Sequence, residues 1–199
     1  MADPATPLEF FFDPSCPFTW RTSRWVAEVA DTGAAAVTWR LMSLAVLNEG
    51  REIPEQYRES VRQGVRALRV LDAARAHGGG DALARLYTAL GARLHEKDEP
   101  AGDATLAAAV AEAGLPASVA EAADDEGRDA AVRADHEASQ AAVGDTAGSP
   151  VTTVAGRGFF GPVVVPTPTG QQATQLFEAL RLAAGVPGFS ELKRARNPL

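Results

Sequence analysis

The chain has 199 residues, of which 46% are hydrophobic, and its formal net charge is −7. A chain of this length and apolar content can bury a sizeable core and is too apolar to remain disordered. Its negative charge argues against a nucleic-acid or anionic-membrane binder, and no apolar run approaches the roughly 20 residues that span a bilayer.

The cysteine count and the start of the chain predict a compartment. Residues Met1–Pro4 lack the basic start and the apolar run of a secretory signal peptide. A single cysteine cannot form an intrachain disulfide, so nothing here requires an oxidising environment. We therefore expect a cytoplasmic protein. One cysteine and three scattered histidines also predict no metal site.

The first 45 residues predict a β-α-β unit. Residues 8–12 form a short apolar run, closed by Asp13-Pro14, that is typical of a buried strand. A helical pattern follows from Pro17 to about Asp31, and residues 37–42 alternate as a second strand does. A helical crossover between two strands predicts that they pair in parallel.

The middle of the chain, roughly residues 54–143, is predicted to be helical throughout. Alanine, the best helix former, is most abundant between residues 101 and 150. Four helices are expected, beginning near Pro54, Asp81, Asp103 and Asp129. The first of them stops near Gly78-Gly79-Gly80, and no linker is long enough to separate independent domains.

The end of the chain returns to strands. Val151–Val154 and Phe159-Phe160 are separated by a four-residue segment that predicts a hairpin turn. Thr169, followed three residues later by a glutamine, is a capping-box pattern and predicts a last helix that Gly185 ends. We therefore predict an α/β protein whose β-α-β and β-β-α pieces share one mixed sheet, with the inserted helices covering one edge.

Cys16 is the first candidate for chemistry. It stands between the first strand and the first helix, and Pro17 suits the first helical position. Unpaired amides and the helix dipole at this end favour a thiolate. Thr19, one turn on, can donate to the sulfur, whereas Asp13 opposes the thiolate. The alternative is a buried, inert cysteine, but the strand–Cys–Pro–helix context favours a reactive one.

The segment Phe12–Trp20 resembles the active-site segment of the DsbA-like branch of the thioredoxin superfamily. Ser149-Pro150, just before the third strand, matches that family's cis-proline position. Over nearly the whole chain the resemblance is to the actinobacterial mycothiol-dependent nitroreductase family. The other segments that carry it are Met42–Glu49, Pro54–Glu59, Phe159–Pro162 and Glu191–Arg194.

The resemblance implies a thioredoxin fold with a large helical insertion. Residues 1–45 and 146–199 would form the thioredoxin-like domain, and residues 46–145 the inserted helical subdomain. The family motif is Cys-Pro-Trp-Cys, whereas this chain has Cys16-Pro17-Phe18-Thr19. The second cysteine, which would release a bound thiol by closing a disulfide, is therefore missing. This implies a monothiol mechanism in which Cys16 is the catalytic nucleophile and Thr19 its hydrogen-bond partner.

The resemblance also implies which residues bind the thiol or substrate. They are Pro17, Phe18, Trp20, Asn48, Tyr57, His95, Ser149 and Pro150. Core packing remains an alternative for Tyr57, and a helix C-terminal dipole partner for His95. For Pro150 the alternative is an ordinary trans proline.

Three functions follow from these observations. The leading hypothesis is a thiol-disulfide oxidoreductase or thiol-dependent reductase that acts on mixed disulfides or small electrophiles. It would bind no cofactor tightly and use a low-molecular-weight thiol, by resemblance mycothiol, as co-substrate. A second is an enzyme like kappa-type glutathione transferases or 2-hydroxychromene-2-carboxylate isomerases, which activate a bound thiol. A third is a non-catalytic thiol- or protein-binding member. No nucleic-acid or membrane partner is expected, and family relatives suggest a homodimer.

Overall fold

The two ends of the chain form one mixed sheet. The computed structural model describes residues 4–198, apart from the side chain of Tyr57. Strand β1 (Thr6–Phe12) pairs in parallel with β2 (Ala35–Leu41), and helix α1 (Pro17–Asp31) connects them. The predicted β-α-β unit is therefore confirmed.

The predicted hairpin supplies the other half of the sheet. Strands β3 (Val151–Val154) and β4 (Arg157–Phe160) pair antiparallel, and β3 also pairs antiparallel with β1. The strand order is β2-β1-β3-β4. Each half would expose a hydrophobic sheet edge and face by itself, so the shared sheet is what buries both.

Five further helices follow in chain order. They are α2 (Leu44–Leu47), α3 (Glu55–His95), α4 (Asp103–Glu112), α5 (Asp129–Val143) and α6 (Gln171–Ala184). The break predicted near Gly78 lies inside α3, where Gly78 and Gly79 leave helical geometry and Gly79 has φ +70°. Two short 3₁₀ segments, residues 117–124 and 126–128, lie between α4 and α5.

One local element was not predicted and one local prediction was wrong. The sequence gives no signal for the short helix α2, because four residues are too few to show a helical period. The capping box at Thr169 does not form: Gly170 is the residue that precedes α6, and the end of the helix has no side-chain cap. The amide of Gly170 instead donates to the Glu28 carboxylate, so α1 holds the start of α6.

The alternation of β1 divides the core between the two faces of the sheet. Leu8, Phe10 and Phe12 enter the larger cluster, whereas Phe11 enters a smaller one with Met42 and Val151. Each buried aromatic side chain contributes about 1.5–3 kcal/mol by leaving water. Helices α1 and α6 pack on each other, while α5 lies against all four strands and α3 contacts β2. The insertion therefore covers a whole face of the sheet, not only the expected edge.

The parallel strands determine where the site forms. At its carboxyl end β1 runs into the loop 13–16, and β2 runs into helix α2, which has the polar residues Ser43 and Asn48 at its two ends. Carboxyl ends of parallel strands lie at one edge of a sheet, where α/β proteins form ligand sites. The first half of α3 follows directly and closes the space beside them.

Candidate active site

Cys16 caps the amino terminus of α1. Its backbone is extended (φ −87°, ψ 114°), and Pro17 occupies the first turn, where no amide is needed. The Cys16 amide donates to the Asp13 carbonyl over 3.2 Å, and its carbonyl accepts from the Trp20 amide over 3.0 Å. These bonds hold the half-buried side chain at the mouth of the helix.

Ser149 faces the sulfur from β3's side of the sheet. The Ser149–Pro150 peptide bond is cis, and the Ser149 carbonyl accepts from the Cys16 thiol at 3.7 Å. The Ser149 hydroxyl accepts from the Asp13 amide at 3.0 Å and from the Thr19 hydroxyl at 2.7 Å. A single serine thus connects the end of β1, the nucleophile and the first turn of α1.

Burial and the nearby groups of Thr19 and Phe18 act in opposite directions on the pKa of the Cys16 thiol, and burial has the larger effect. Burial raises the pKa above the ordinary value, and the Asp13 carboxylate raises it further. The nearby Thr19 hydroxyl and the Thr19 and Phe18 amides lower the pKa, but by less than burial raises it. The position of Cys16 predicted a lowered pKa, but the net shift is upward, because the expectation left out desolvation. The roles predicted for Asp13 and Thr19 have the expected signs.

Asp13 organises the loop before Cys16, a role that the sequence analysis missed. Its buried carboxylate accepts from the Ser15 amide at 2.8 Å, the Ser15 hydroxyl at 2.5 Å and the Leu44 amide at 2.7 Å. Desolvation raises the Asp13 pKa, against the effect of these bonds. The available signal was its position, directly after a buried strand and before Pro14.

Cys16 opens into a cavity of about 420 Å³ between the loop 13–16, α2 and the first half of α3. The residues that supply its polar and charged groups are Asp13, Ser15, Asn48, Arg51, Glu52 and Ser60. Its apolar wall comes from Pro17, Leu44, Ala45, Ile53, Pro54, Val61 and Val65, and Gly64 lies among them. A cavity of this size, apolar with a few convergent polar groups, suits a small ligand.

Some predicted site residues meet at this cavity. Cys16, Pro17 and Asn48 line it. The Asn48 side-chain amide donates to the Leu44 carbonyl at 2.7 Å, and its oxygen accepts from Arg51 at 3.4 Å, so α2 presents it in a defined orientation. Thr19, Ser149 and Pro150 are buried beside the sulfur.

Other predicted residues lie elsewhere. Trp20 is 4% exposed, belongs to the core and donates its indole N–H to Glu96, so its predicted contact with a ligand is wrong. The Nε2 atom of His95 lies 2.8 Å from the Pro14 carbonyl, which makes it the protonated ring nitrogen. Burial lowers the His95 pKa. Phe18 is half-buried and does not line the cavity, while the side chain of Tyr57 lies outside the described residues.

Two broader features concern metals and membranes. Within residues 4–198, no group of three or more His, Cys, Asp or Glu side chains is arranged to hold a metal ion. Over the same range, no helix has both the length and the apolar character needed to cross a membrane.

Comparisons with known sequences match this chain to a family. The family model described as Rv2466c-like, mycothiol-dependent nitroreductase Rv2466c, matches residues 15–194. The uncharacterized protein Rv2286c of Mycobacterium tuberculosis is 32% identical over 197 residues, covering 97% of this chain and 84% of that protein.

Solved structures share the fold. A 2-hydroxychromene-2-carboxylate isomerase superposes with a TM-score of 0.61 at 15% identity, over 90% of this chain and 94% of that one. The cytosolic disulfide reductase DsbM from Pseudomonas aeruginosa, solved with GSH, gives a TM-score of 0.58 at 18% identity, over 88% and 99%. At these identities the likeness shows the fold, a DsbA-like thioredoxin fold with a helical insertion.

Proposed function

The chain belongs to the Rv2466c-like family of mycothiol-dependent nitroreductases, and from this premise we propose that it is a thiol oxidoreductase acting through Cys16. Its co-substrate would be a low-molecular-weight thiol, mycothiol by family, and no cofactor would be bound tightly. The observation that carries the proposal is the position of Cys16. The sulfur lies at a helix amino terminus, faces the Ser149 carbonyl and lines a cavity of about 420 Å³.

The proposed cycle uses one thiol. The Cys16 thiolate attacks one sulfur of mycothiol disulfide, the disulfide bond breaks, and one mycothiol leaves as a thiolate that takes up a proton. Because the chain has a single cysteine, the resulting mixed disulfide persists until an external thiol attacks it. Thr19 stands where the family motif has its second cysteine, and the proximity of its hydroxyl supports a role in stabilising the Cys16 thiolate.

The polar groups in the cavity wall and beside the sulfur support the binding of a hydrophilic thiol. Asn48 and Arg51 offer a fixed amide and a cation on one side, and the Ser149 carbonyl offers an acceptor beside the sulfur. Polar groups of this kind would orient a hydrophilic thiol with many hydroxyls.

We place the reaction in the cytoplasm, where such thiols are kept reduced. The homodimer stays a prediction.

A second candidate is an enzyme that activates the thiol of a bound cofactor. The raised pKa of the Cys16 thiol favours it, because a neutral S–H can donate to a bound thiolate instead of acting as the nucleophile. The isomerase that shares this fold is the corresponding structural neighbour.

Intact mass after incubation with mycothiol disulfide separates these functions. We expect the wild-type chain to gain one mycothiol, Cys16→Ser to gain none, and Thr19→Cys to lose the adduct by closing an internal disulfide with Cys16. Turnover with added thiol is then measured for Cys16→Ser. Thiol-dependent turnover that survives this substitution would refute the nucleophile and favour the second candidate.

A further inference from the structure

Phe18 and Phe160 belong to the two segments that meet at Cys16, and neither residue lines the cavity. Phe18 lies in the first turn of α1, two residues after Cys16, and Phe160, the last residue of β4, pairs with Val151, which follows Pro150. The amide after Phe160, that of Gly161, donates to the Pro150 carbonyl at 2.9 Å. Both rings therefore adjoin the two segments that meet at the sulfur, although neither lines the cavity.

The C-terminal segment adds a cation to this pair. The Arg196 guanidinium carbon lies 5.3 Å from the centre of the Phe18 ring and 5.8 Å from that of Phe160. Two contacts hold the segment in place. The Asn197 side-chain amide donates to the Val165 carbonyl at 2.7 Å, and the Phe189 ring lies 6.1 Å from that of Phe159. We call Phe18, Phe160 and Arg196 the aromatic–arginine cluster.

Exposure and charge distinguish this cluster from the rest of the fold. Phe160 is 44% exposed, whereas the three consecutive phenylalanines of β1 are at most 1% exposed. Within residues 4–198, Arg196 forms no ion pair, whereas Arg40, Arg66 and Arg93 each bind two carboxylates. A guanidinium held over aromatic rings keeps its N–H groups free for a carboxylate, which it can bind with two parallel hydrogen bonds.

We propose that the aromatic–arginine cluster is a second substrate site, which binds the aromatic, carboxylate-bearing part of an electrophilic substrate while Cys16 attacks it. The proposal rests on the proposed function, because it needs Cys16 as a nucleophile. The cavity and the cluster share no residue, so in this proposal the small thiol and the electrophile occupy different sites. The rings supply stacking surface, and Arg196 supplies the charge that selects an anion.

The step is a thiol–disulfide exchange for a disulfide substrate. The Cys16 thiolate attacks one sulfur of an aryl disulfide, a bond forms between the Cys16 sulfur and that arylthio group, and the S–S bond breaks. The other arylthiolate leaves with the electron pair of that bond. The substrate disulfide is thereby reduced and Cys16 is oxidised to a mixed disulfide.

Two chromogenic disulfides test this selectivity. Dithiobis(nitrobenzoate) carries two carboxylates on aromatic rings, and dithiodipyridine is aromatic and neutral. We expect Arg196→Ala to slow the single-turnover reaction of Cys16 with the anionic reagent by roughly fivefold and to leave the neutral reagent's rate unchanged. Arg196→Lys keeps the charge without the planar fork, so its rate with the anion should be intermediate.

Arg194→Ala is the matched control, since it removes the same charge from the same exposed segment. Equal slowing of both reagents by Arg196→Ala, or an effect of Arg194→Ala as large as that of Arg196→Ala, would overturn the second site and leave the proposed function standing. If neither reagent reacts with folded wild-type protein but both react after unfolding, Cys16 is not a nucleophile and both proposals fail.

Discussion

Thr19 and Ser149 are the polar residues beside the Cys16 sulfur, and the Thr19 hydroxyl can donate its proton to either Ser149 or the sulfur. In the resting state this hydroxyl donates to Ser149, and the Cys16 thiol donates to the Ser149 carbonyl. A carbonyl oxygen repels a thiolate, so deprotonation favours a rearrangement in which Thr19 donates to the sulfur and Ser149 donates to Thr19. Both states need a hydroxyl at position 19, which is fully buried.

This hydroxyl makes the pH dependence of Cys16 testable. Because the pKa of Cys16 lies above its ordinary value, the thiolate fraction near neutral pH is smaller in the folded than in the unfolded chain. We expect the alkylation rate by a neutral reagent to rise with pH through that elevated pKa. Thr19→Val should move the profile to still higher pH, and Thr19→Ser should leave it nearly in place. A wild-type profile that turns below the ordinary thiol pKa would contradict this assignment.

Two of the glycines in helix α3, Gly64 and Gly91, serve different purposes. A Cβ atom at Gly91 would lie 2.2 Å from the Trp20 ring, so close packing requires glycine there. At Gly64 a Cβ atom would lie 3.4 Å from the Ser15 hydroxyl oxygen, about an ordinary contact distance. A glycine inside a helix costs stability relative to alanine, and packing does not require it at position 64. We interpret Gly64 as space kept open in the cavity wall.

Gly64→Ala should therefore separate stability from activity. We expect the free energy of unfolding to rise by about 0.5–1 kcal/mol, because alanine has the higher helix propensity. The KM for the thiol substrate should rise severalfold, because the new methyl group enters the cavity. The control is Gly80→Ala, an exposed position in the same helix with no neighbouring atom within 4 Å. It should leave KM unchanged in a steady-state assay, and an equal KM effect from both substitutions would refute the interpretation.

At the scale of the whole molecule, an ion-pair network joins the sheet to the inserted helices. Asp135 of α5 is 6% exposed and accepts from Arg40 of β2 at 2.6 Å and from the Leu41 amide at 3.2 Å. It also binds Arg75 of α3, which pairs with Asp72 at 2.7 Å. The insertion is thus oriented by charges from three different elements, and the cavity beside Cys16 lies between the parts they connect.

Removing the Asp135 carboxylate, the centre of this network, should lower the free energy of unfolding. Asp135→Ala takes one of the two carboxylate partners from both Arg40 and Arg75 and removes the side-chain acceptor of the Leu41 amide. We expect a loss of about 1–3 kcal/mol of unfolding free energy. Denaturant unfolding measures it. The exposed pair of Glu59 and Arg62, one turn apart on α3, gives the comparison, since Glu59→Ala removes a solvent-screened partner and should change stability far less. Similar losses from the two substitutions would show that the network contributes no more than a surface pair.

Local patterns predicted most of the elements. Pro17 and the apolar period indicated α1, and the alternation of β2 indicated a strand. Helix α5 was predicted with its observed bounds, Asp129–Val143. Four-residue α2 has too little sequence to show a period, and Gly170 replaced Thr169 at the start of α6 because a carboxylate from α1 reaches its amide. The division into domains at residues 45 and 146 stays a prediction.

The sequence by itself determined the fold class, the family and the identity of the candidate nucleophile, because these depend on periodicity, on turn residues and on a motif of consecutive residues around Cys16. Only the tertiary structure decided what surrounds the sulfur. The pKa of Cys16 depends on desolvation. The hydrogen bond from the Leu44 amide to Asp13 and the placement of Arg196 over Phe18 join residues that are far apart in the chain. Neither of these leaves a local pattern, since both arise only when distant segments pack together.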